Sequence, residues 1–181
     1  MKIFDLFENV EFHRDSVITV GTFDGVHLGH QSIINELLSI ANNKNLRPVL
    51  LTLHPHPQTV LKKDREPSKL LTSINERLIL FEKFGLENIV IIPFSYEFSL
   101  TSPESFVRNY LFQKVGFRKI LIGYDHLFGK NREGNCDLLK QLASELDFEV
   151  NRISPFTEGD IIISSTKIRH SIHNNEIEIA N

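Results

Sequence analysis

The 181-residue sequence holds a single cysteine, has no long apolar run and carries no excess of positive charge. Each of these absences removes a class of protein. One thiol, Cys136, cannot close an internal disulfide and has no CxxC partner, so a disulfide framework and a cysteine-held metal are excluded. No apolar stretch approaches the ~18 residues that a membrane-spanning helix needs. The N-terminal segment MKIFDLFENVEFHRD has acidic residues where a signal peptide needs an apolar core. With 20 Lys and Arg against 23 Asp and Glu, the net charge of -3 offers no polybasic footprint for nucleic acid or lipid headgroups. These exclusions predict a cytoplasmic protein with small-molecule partners, no nucleic acid and no membrane. The hydrophobic share of 41% and charged share of 24% are those of an ordinary globular chain. Its length predicts one domain over residues 1–181, large enough to bury roughly 70% of its unfolded surface.

What is present is an alternation of two patterns. Short apolar runs rich in β-branched residues, at 17–21, 48–53, 88–94, 119–123 and 148–154, read as strands, mostly buried on both faces. Between them HQSIINELLSIANN, SINERLILFEKFG and SPESFVRNYLFQKVG read as helices, the second closing at Gly85 and the third opening with Ser102 as N-cap and Pro103 in the first turn. A βαβαβ order predicts an α/β fold, a doubly wound parallel sheet whose ligands bind beyond the carboxyl ends of the strands.

That rule gives weight to VGTFDGVHLGH, residues 20–30, which follows the first of these strands. It places Gly21, Phe23, Asp24 and Gly25 in a βα turn, and His27, Gly29 and His30 at the start of a helix. The free N–H groups and dipole at a helix N-terminus suit an anion, and glycines let backbone approach phosphate. Neither GxGxxG nor a GK[ST] loop is present. Instead two imidazoles stand three residues apart, able to donate hydrogen bonds to charge that builds during phosphoryl or nucleotidyl transfer. Capping histidines or a metal pair are the alternatives. Far along the chain, IIISSTKIRHSI runs a short strand into Ser164, Ser165 and Thr166 and then a helix carrying Arg169. One hydroxyl suffices for a cap. Three, with a guanidinium one turn on, also make an anion cradle.

GTFDGVHLGH together with ISSTKIR resembles the HxGH nucleotidylyltransferase superfamily. The intervening LTLHPHP and GYDHLFGKNREG resemble the FMN adenylyltransferase module of bacterial FAD synthetase, a bifunctional riboflavin kinase/FMN adenylyltransferase. The resemblance covers nearly the whole chain. It implies a Rossmann-like sheet of the nucleotidylyltransferase type and the reaction of FMN with ATP to give FAD and pyrophosphate. It further implies that His27 and His30 hold the triphosphate, that Ser165 and Thr166 bind the leaving phosphates, and that Arg169 neutralises them. Gly123 and Ser164 join the ATP site. Mg²⁺ accompanies the nucleotide, with Asp24 as a ligand through water or simply as a turn former. Pro55, His56 and Pro57 lie at the FMN site, Asp125 near the flavin, and Tyr124 and Phe128 pack on its ring. Leu127 stands where the family often has arginine, with Lys130 and Arg132 nearby as substitutes.

The resemblance also implies that full-length relatives continue into a fused riboflavin kinase module, which is absent from this sequence; it ends in NNEIEIAN, where the family's linker would begin. Two rival functions stay open at this level: a sibling nucleotidylyltransferase acting on another phosphorylated substrate, and a nucleotide- or flavin-binding domain without turnover.

Overall fold

The structure, a computed structural model, describes residues 1–61, 69–159 and 161–180. In chain order the elements are β1 (Lys2–Phe4), β2 (Ser16–Gly21), α1 (Leu28–Lys44), β3 (Arg47–His54), α2 (Pro57–Leu61), α3 (Ile74–Lys83) and β4 (Asn88–Pro93). They continue with α4 (Tyr96–Ser99), α5 (Pro103–Ser105), a π-helix (Phe106–Val115), β5 (Lys119–Gly123), α6 (Cys136–Leu146), β6 (Glu149–Ile153), β7 (Thr157–Glu158), β8 (Ile161–Ile162), α7 (Ser165–His173) and α8 (Ile177–Ala180).

Six strands form one parallel sheet in the order β1-β4-β3-β2-β5-β6. The chain winds from β2 outward through β3 to β4, then returns to lay β5 on the other side of β2. The winding therefore reverses at β2, and the crevice beyond its carboxyl end is the expected ligand site of a doubly wound sheet.

Alternation along the strands builds a core on each face. Val17, Leu50, Ile89 and Leu121 point to one side, where Ile34, Leu37 and Ala41 of α1 and Phe81 of α3 meet them. Ile18, Val20, Leu51, Val90 and Ile120 point to the other, against Phe106, Val107, Leu111 and Val115 of the π-helix and Leu139 and Leu142 of α6. Each such side chain, fully withdrawn from water, contributes roughly 1.5–3 kcal/mol.

Two local expectations are corrected. The helix that opens at Ser102 and Pro103 keeps α geometry for only three residues and then widens into the π-helix. Its buried residues Val107, Leu111 and Val115 recur every four positions, with Phe106 five before Leu111, a spacing that the wider turn keeps on one face. The edge strand β1 adds a sixth strand to the sheet; at only three residues it is too short to show a readable alternation.

Candidate active site

β2 ends at Gly21, and the chain turns through Thr22 to Gly25 before α1 begins. Phe23 and Val26 adopt φ of 50° and 40°, uncommon for any residue with a side chain and strained for a β-branched one. Gly25, at φ 84°, faces Leu71 so closely that an added Cβ would lie 2.7 Å from its Cδ1. Partners from distant segments hold this turn in shape. The Leu71 and Thr72 N–H groups donate to Asp24 Oδ1 at 2.9 and 3.0 Å, and the Gly25 N–H donates to Thr72 Oγ1 at 2.8 Å. Arg169 Nη2 donates to Asp24 Oδ2 at 2.9 Å, and Ser165 Oγ to the Asp24 carbonyl at 2.9 Å. One aspartate thus joins the turn after β2, the segment before α3 and the start of α7.

Asp24 is buried at 1% exposure. Burial raises its pKa, yet the Thr72 and Leu71 N–H groups and Arg169 together hold it below the ordinary carboxylate value. Its oxygens are committed to these three partners. Of the two roles open to Asp24, a ligand through water or a turn former, these bonds are those of a residue that organises the turn.

His27 is the N-cap residue of α1 by backbone position, and its side chain makes no capping bond. Its ring stacks on that of His30, with centroids 3.7 Å apart and planes 20° from parallel. The Nδ1 atoms of both rings are buried without a hydrogen-bond partner. Capping histidines would be satisfied, so these two are held for something else. Burial lowers the His27 pKa to about 4; burial, then the neighbouring His27, lowers that of His30 to about 3. Both rings are neutral at pH 7, each with one donor and one acceptor nitrogen.

The same displacement makes stability fall in acid. A group whose folded pKa lies below its unfolded value of 6.5 contributes stability that is present above 6.5 and is lost as pH falls. His126, stacked at 5.7 Å on Phe128, is likewise lowered by burial, to about 4. The melting temperature is expected to decline continuously from pH 6.5 to pH 4, and less steeply in His126→Gln. A flat profile over that range would contradict the buried, neutral state of these rings.

At the second motif Ser164 is the N-cap of α7, its Oγ accepting from the Lys167 N–H at 3.4 Å. Ser165 uses its hydroxyl proton on Asp24, and Thr166 is exposed. Two of the three hydroxyls therefore serve the protein, and the α7 start offers its backbone N–H groups with Thr166. Arg169, paired to Asp24, keeps a buried Nε without a partner.

Two clefts flank this centre. A polar one of about 690 Å³ lies between α1 and the end of β6, with Gln31, Asn35, Asn151 and Phe156 in its wall. A more apolar one of about 480 Å³ lies beyond β3 and β4, lined by Pro55, Pro93, Phe94, Phe98, Thr101 and Tyr110. Because its wall includes Pro55 and Pro93, which follow or close β3 and β4, this second cleft lies at the same carboxyl end of the sheet as the histidine turn.

The family model described as FAD synthetase matches residues 9–167, from before the histidine turn through Ser164, Ser165 and Thr166 and ending two residues short of Arg169. The chain belongs to the FAD synthetase family. It is 34% identical over 181 residues to the bifunctional riboflavin kinase/FMN adenylyltransferase of Buchnera aphidicola subsp. Acyrthosiphon pisum, covering 99% of this chain and 58% of that protein. To the protein of the same name from Listeria monocytogenes it is 37% identical over 167 residues, covering 92% of this chain and 52% of the other. The chain thus spans little more than half the length of these relatives. Among solved structures, one described as a macrolide-efflux protein from Streptococcus pneumoniae superposes with a TM-score of 0.85 at 25% identity, covering 98% of this chain and 59% of that one. The pantothenate synthetase of Thermus thermophilus shares the fold, with a TM-score of 0.55 at 15% identity over 93% of this chain and 67% of the other. No helix among the described residues is long and apolar enough to cross a membrane.

Within this family frame the flavin-side residues divide. Pro55 lines the apolar cleft, and Pro57 opens α2. His56 is buried, its Nδ1 accepting from the Gln58 N–H at 3.2 Å, so it shapes the proline loop from within. Asp125 is exposed near the end of β5, and Tyr124 is partly exposed, its carbonyl accepting from Arg152. One aromatic expectation is corrected. Phe128 is 9% exposed and packs on Phe106 in the core, so its ring is not open to a flavin. The Phe23 ring is buried against Phe81 and His30, which leaves only its backbone facing the site. Gly123 closes β5 with Ile33 and Asp125 nearest to it. Sequence reasoning missed Thr72, Leu71 and Arg77, none of which lies in a recognisable motif.

Proposed function

We propose that this chain joins the AMP moiety of ATP to FMN, giving FAD and pyrophosphate. The observation that carries this reading is the neutral, partner-poor imidazole pair at the α1 start, set beside the α7 start and between a polar and an apolar cleft. The apolar cleft suits a flat flavin ring, and the polar cleft suits adenosine. Their phosphates then meet over β2. An FMN phosphate oxygen attacks the α-phosphorus in line, forming one P–O bond as the bond to the β-phosphate oxygen breaks, and the electron pair leaves on pyrophosphate. The nucleophile comes with FMN, so no protein base is required. His27 and His30 donate to charge developing at the α-phosphate. The α7 amides, Thr166 and Arg169 receive the leaving phosphates.

Mg²⁺ enters as part of the MgATP substrate. No group of three or more His, Cys, Asp and Glu residues able to hold a metal occurs among the described residues, and Asp24 is engaged by protein partners, so no residue is assigned as its ligand. The test supplies MgATP with either FMN or riboflavin and resolves the products by chromatography. FAD is expected from FMN, and no FMN from riboflavin, because one phosphate-transfer constellation is found among the described residues. No FAD at high enzyme concentration would overturn the proposal, and FMN formed from riboflavin would overturn its restriction to one activity.

A further inference from the structure

Arg77 belongs to none of the phosphate-site motifs, yet it stands on α3 directly beneath them. It is fully buried. Its Nη1 donates to the Thr22 carbonyl and, at 3.2 Å, to the Thr52 hydroxyl, which itself donates to the same carbonyl at 3.2 Å. Its Nε and Nη2 are buried without a partner. Asp24 attracts it only through space, because the Asp24 carboxylate is bonded to Leu71, Thr72 and Arg169. A guanidinium cannot shed its proton, so a permanent charge is kept inside the fold with incomplete compensation. Burial penalises such an arrangement, and apolar packing of similar volume commonly replaces it without loss of stability. Stability is therefore a poor reason for an arginine here.

Its position supplies a better one. The carbonyl that Arg77 grips is the first beyond β2, and it begins the turn in which Phe23 and Val26 are held at positive φ. A strained turn persists only where its surroundings over-determine it. Asp24 fastens the far side of this turn; the Arg77 and Thr52 bonds to Thr22 fasten the near side.

We propose that Arg77 is a positioning residue: its buried guanidinium fixes the Thr22 carbonyl, and thereby the strained turn that aims His27 and His30 at the reacting phosphates. This inference rests on the adenylyl-transfer reading. Displacement of a catalytic constellation by about 1 Å costs on the order of 10²-fold in rate. Arg77→Met is accordingly expected to lower kcat by about 10²-fold per folded molecule with the KM for ATP within about threefold, and Arg77→Lys to recover most of the loss. The fixed charge has a readout independent of turnover. Burial first, then the Arg77 charge, lowers the His54 pKa below 6.5. An NMR titration of His54 should therefore show its midpoint rising in Arg77→Met and holding in Arg77→Lys. Wild-type kcat in Arg77→Met, a loss explained wholly by its unfolded fraction, or an unmoved His54 midpoint would overturn the proposal. Should Arg77→Met fail to fold, Thr52→Val, which removes the shared hydroxyl, is expected to lower kcat about tenfold at unchanged KM; wild-type kcat in both Thr52→Val and Arg77→Lys would then overturn it. If the wild-type chain itself makes no FAD, the functional reading falls, while the His54 midpoint still decides the placement of the Arg77 charge.

Discussion

Alanine at His27 or at His30 is expected to lower kcat by about 10²- to 10³-fold while weakening ATP binding far less, because a preorganised donor acts chiefly on charge that appears in the transition state. The stacking of the two rings sharpens the expectation. At 3.7 Å between centroids they form one unit, each limiting the rotation of the other. The double variant should then be little worse than the more damaged single one, as for groups that act together. Single-turnover rates with FMN, set beside equilibrium titration of the nucleotide, separate the two effects. Near wild-type turnover in both single variants would remove the histidines from the chemistry.

Asp24→Ala should be the most destabilising single change at the site. It strips the acceptor from the Leu71 and Thr72 N–H groups and leaves Arg169 as a half-buried cation without its counter-charge. Removing one member of a buried pair typically costs about 3–5 kcal/mol. For a domain of this size that corresponds to a fall in Tm on the order of 10 °C. Thermal unfolding measures it directly. Turnover should fall as well, since the same carboxylate holds the α7 start against the turn after β2. A variant that melted within 2 °C or so of wild type would show that these bonds contribute little.

The legibility of the fold followed from period and punctuation. Four of the five longer strands were readable because a strand buried on both faces is an unbroken apolar run, whereas the edge strand β6 exposes Glu149 and Arg152; Ser102 and Pro103 announced their helix start as physical chemistry requires. The widening after Ser105 gave no such notice, since π geometry is selected by packing against the sheet and the aromatic residues around Phe106, not by local propensity. At the site, residues close in sequence were legible: the imidazole pair and the hydroxyl run each fit within one turn. Asp24 was visible only as an aspartate before glycine. Its partners lie 47, 48 and 145 residues away, a separation that no motif encodes. Arg77 was less visible still, being a basic residue in an amphipathic helix that reads as solvated. Phe128 failed differently, since a phenylalanine in a loop presents the same letter whether its ring faces ligand or core.

One contact outside the chemistry governs how such a site can drift. Gly129, at φ 72°, crosses Pro103 so closely that an added Cβ would lie 2.6 Å from the Pro103 Cα and 2.7 Å from its backbone nitrogen. The Lys130 N–H then donates to the Thr101 carbonyl at 2.8 Å. Because the obstruction is main chain, no compensating change of side chain at residue 103 can make room for one at 129. The crossing acts as a spacer of fixed length between the end of β5 and the wall of the apolar cleft at Thr101. Substitution can therefore alter what lines that cleft over evolutionary time, while the gauge that separates it from the β5 loop stays constant.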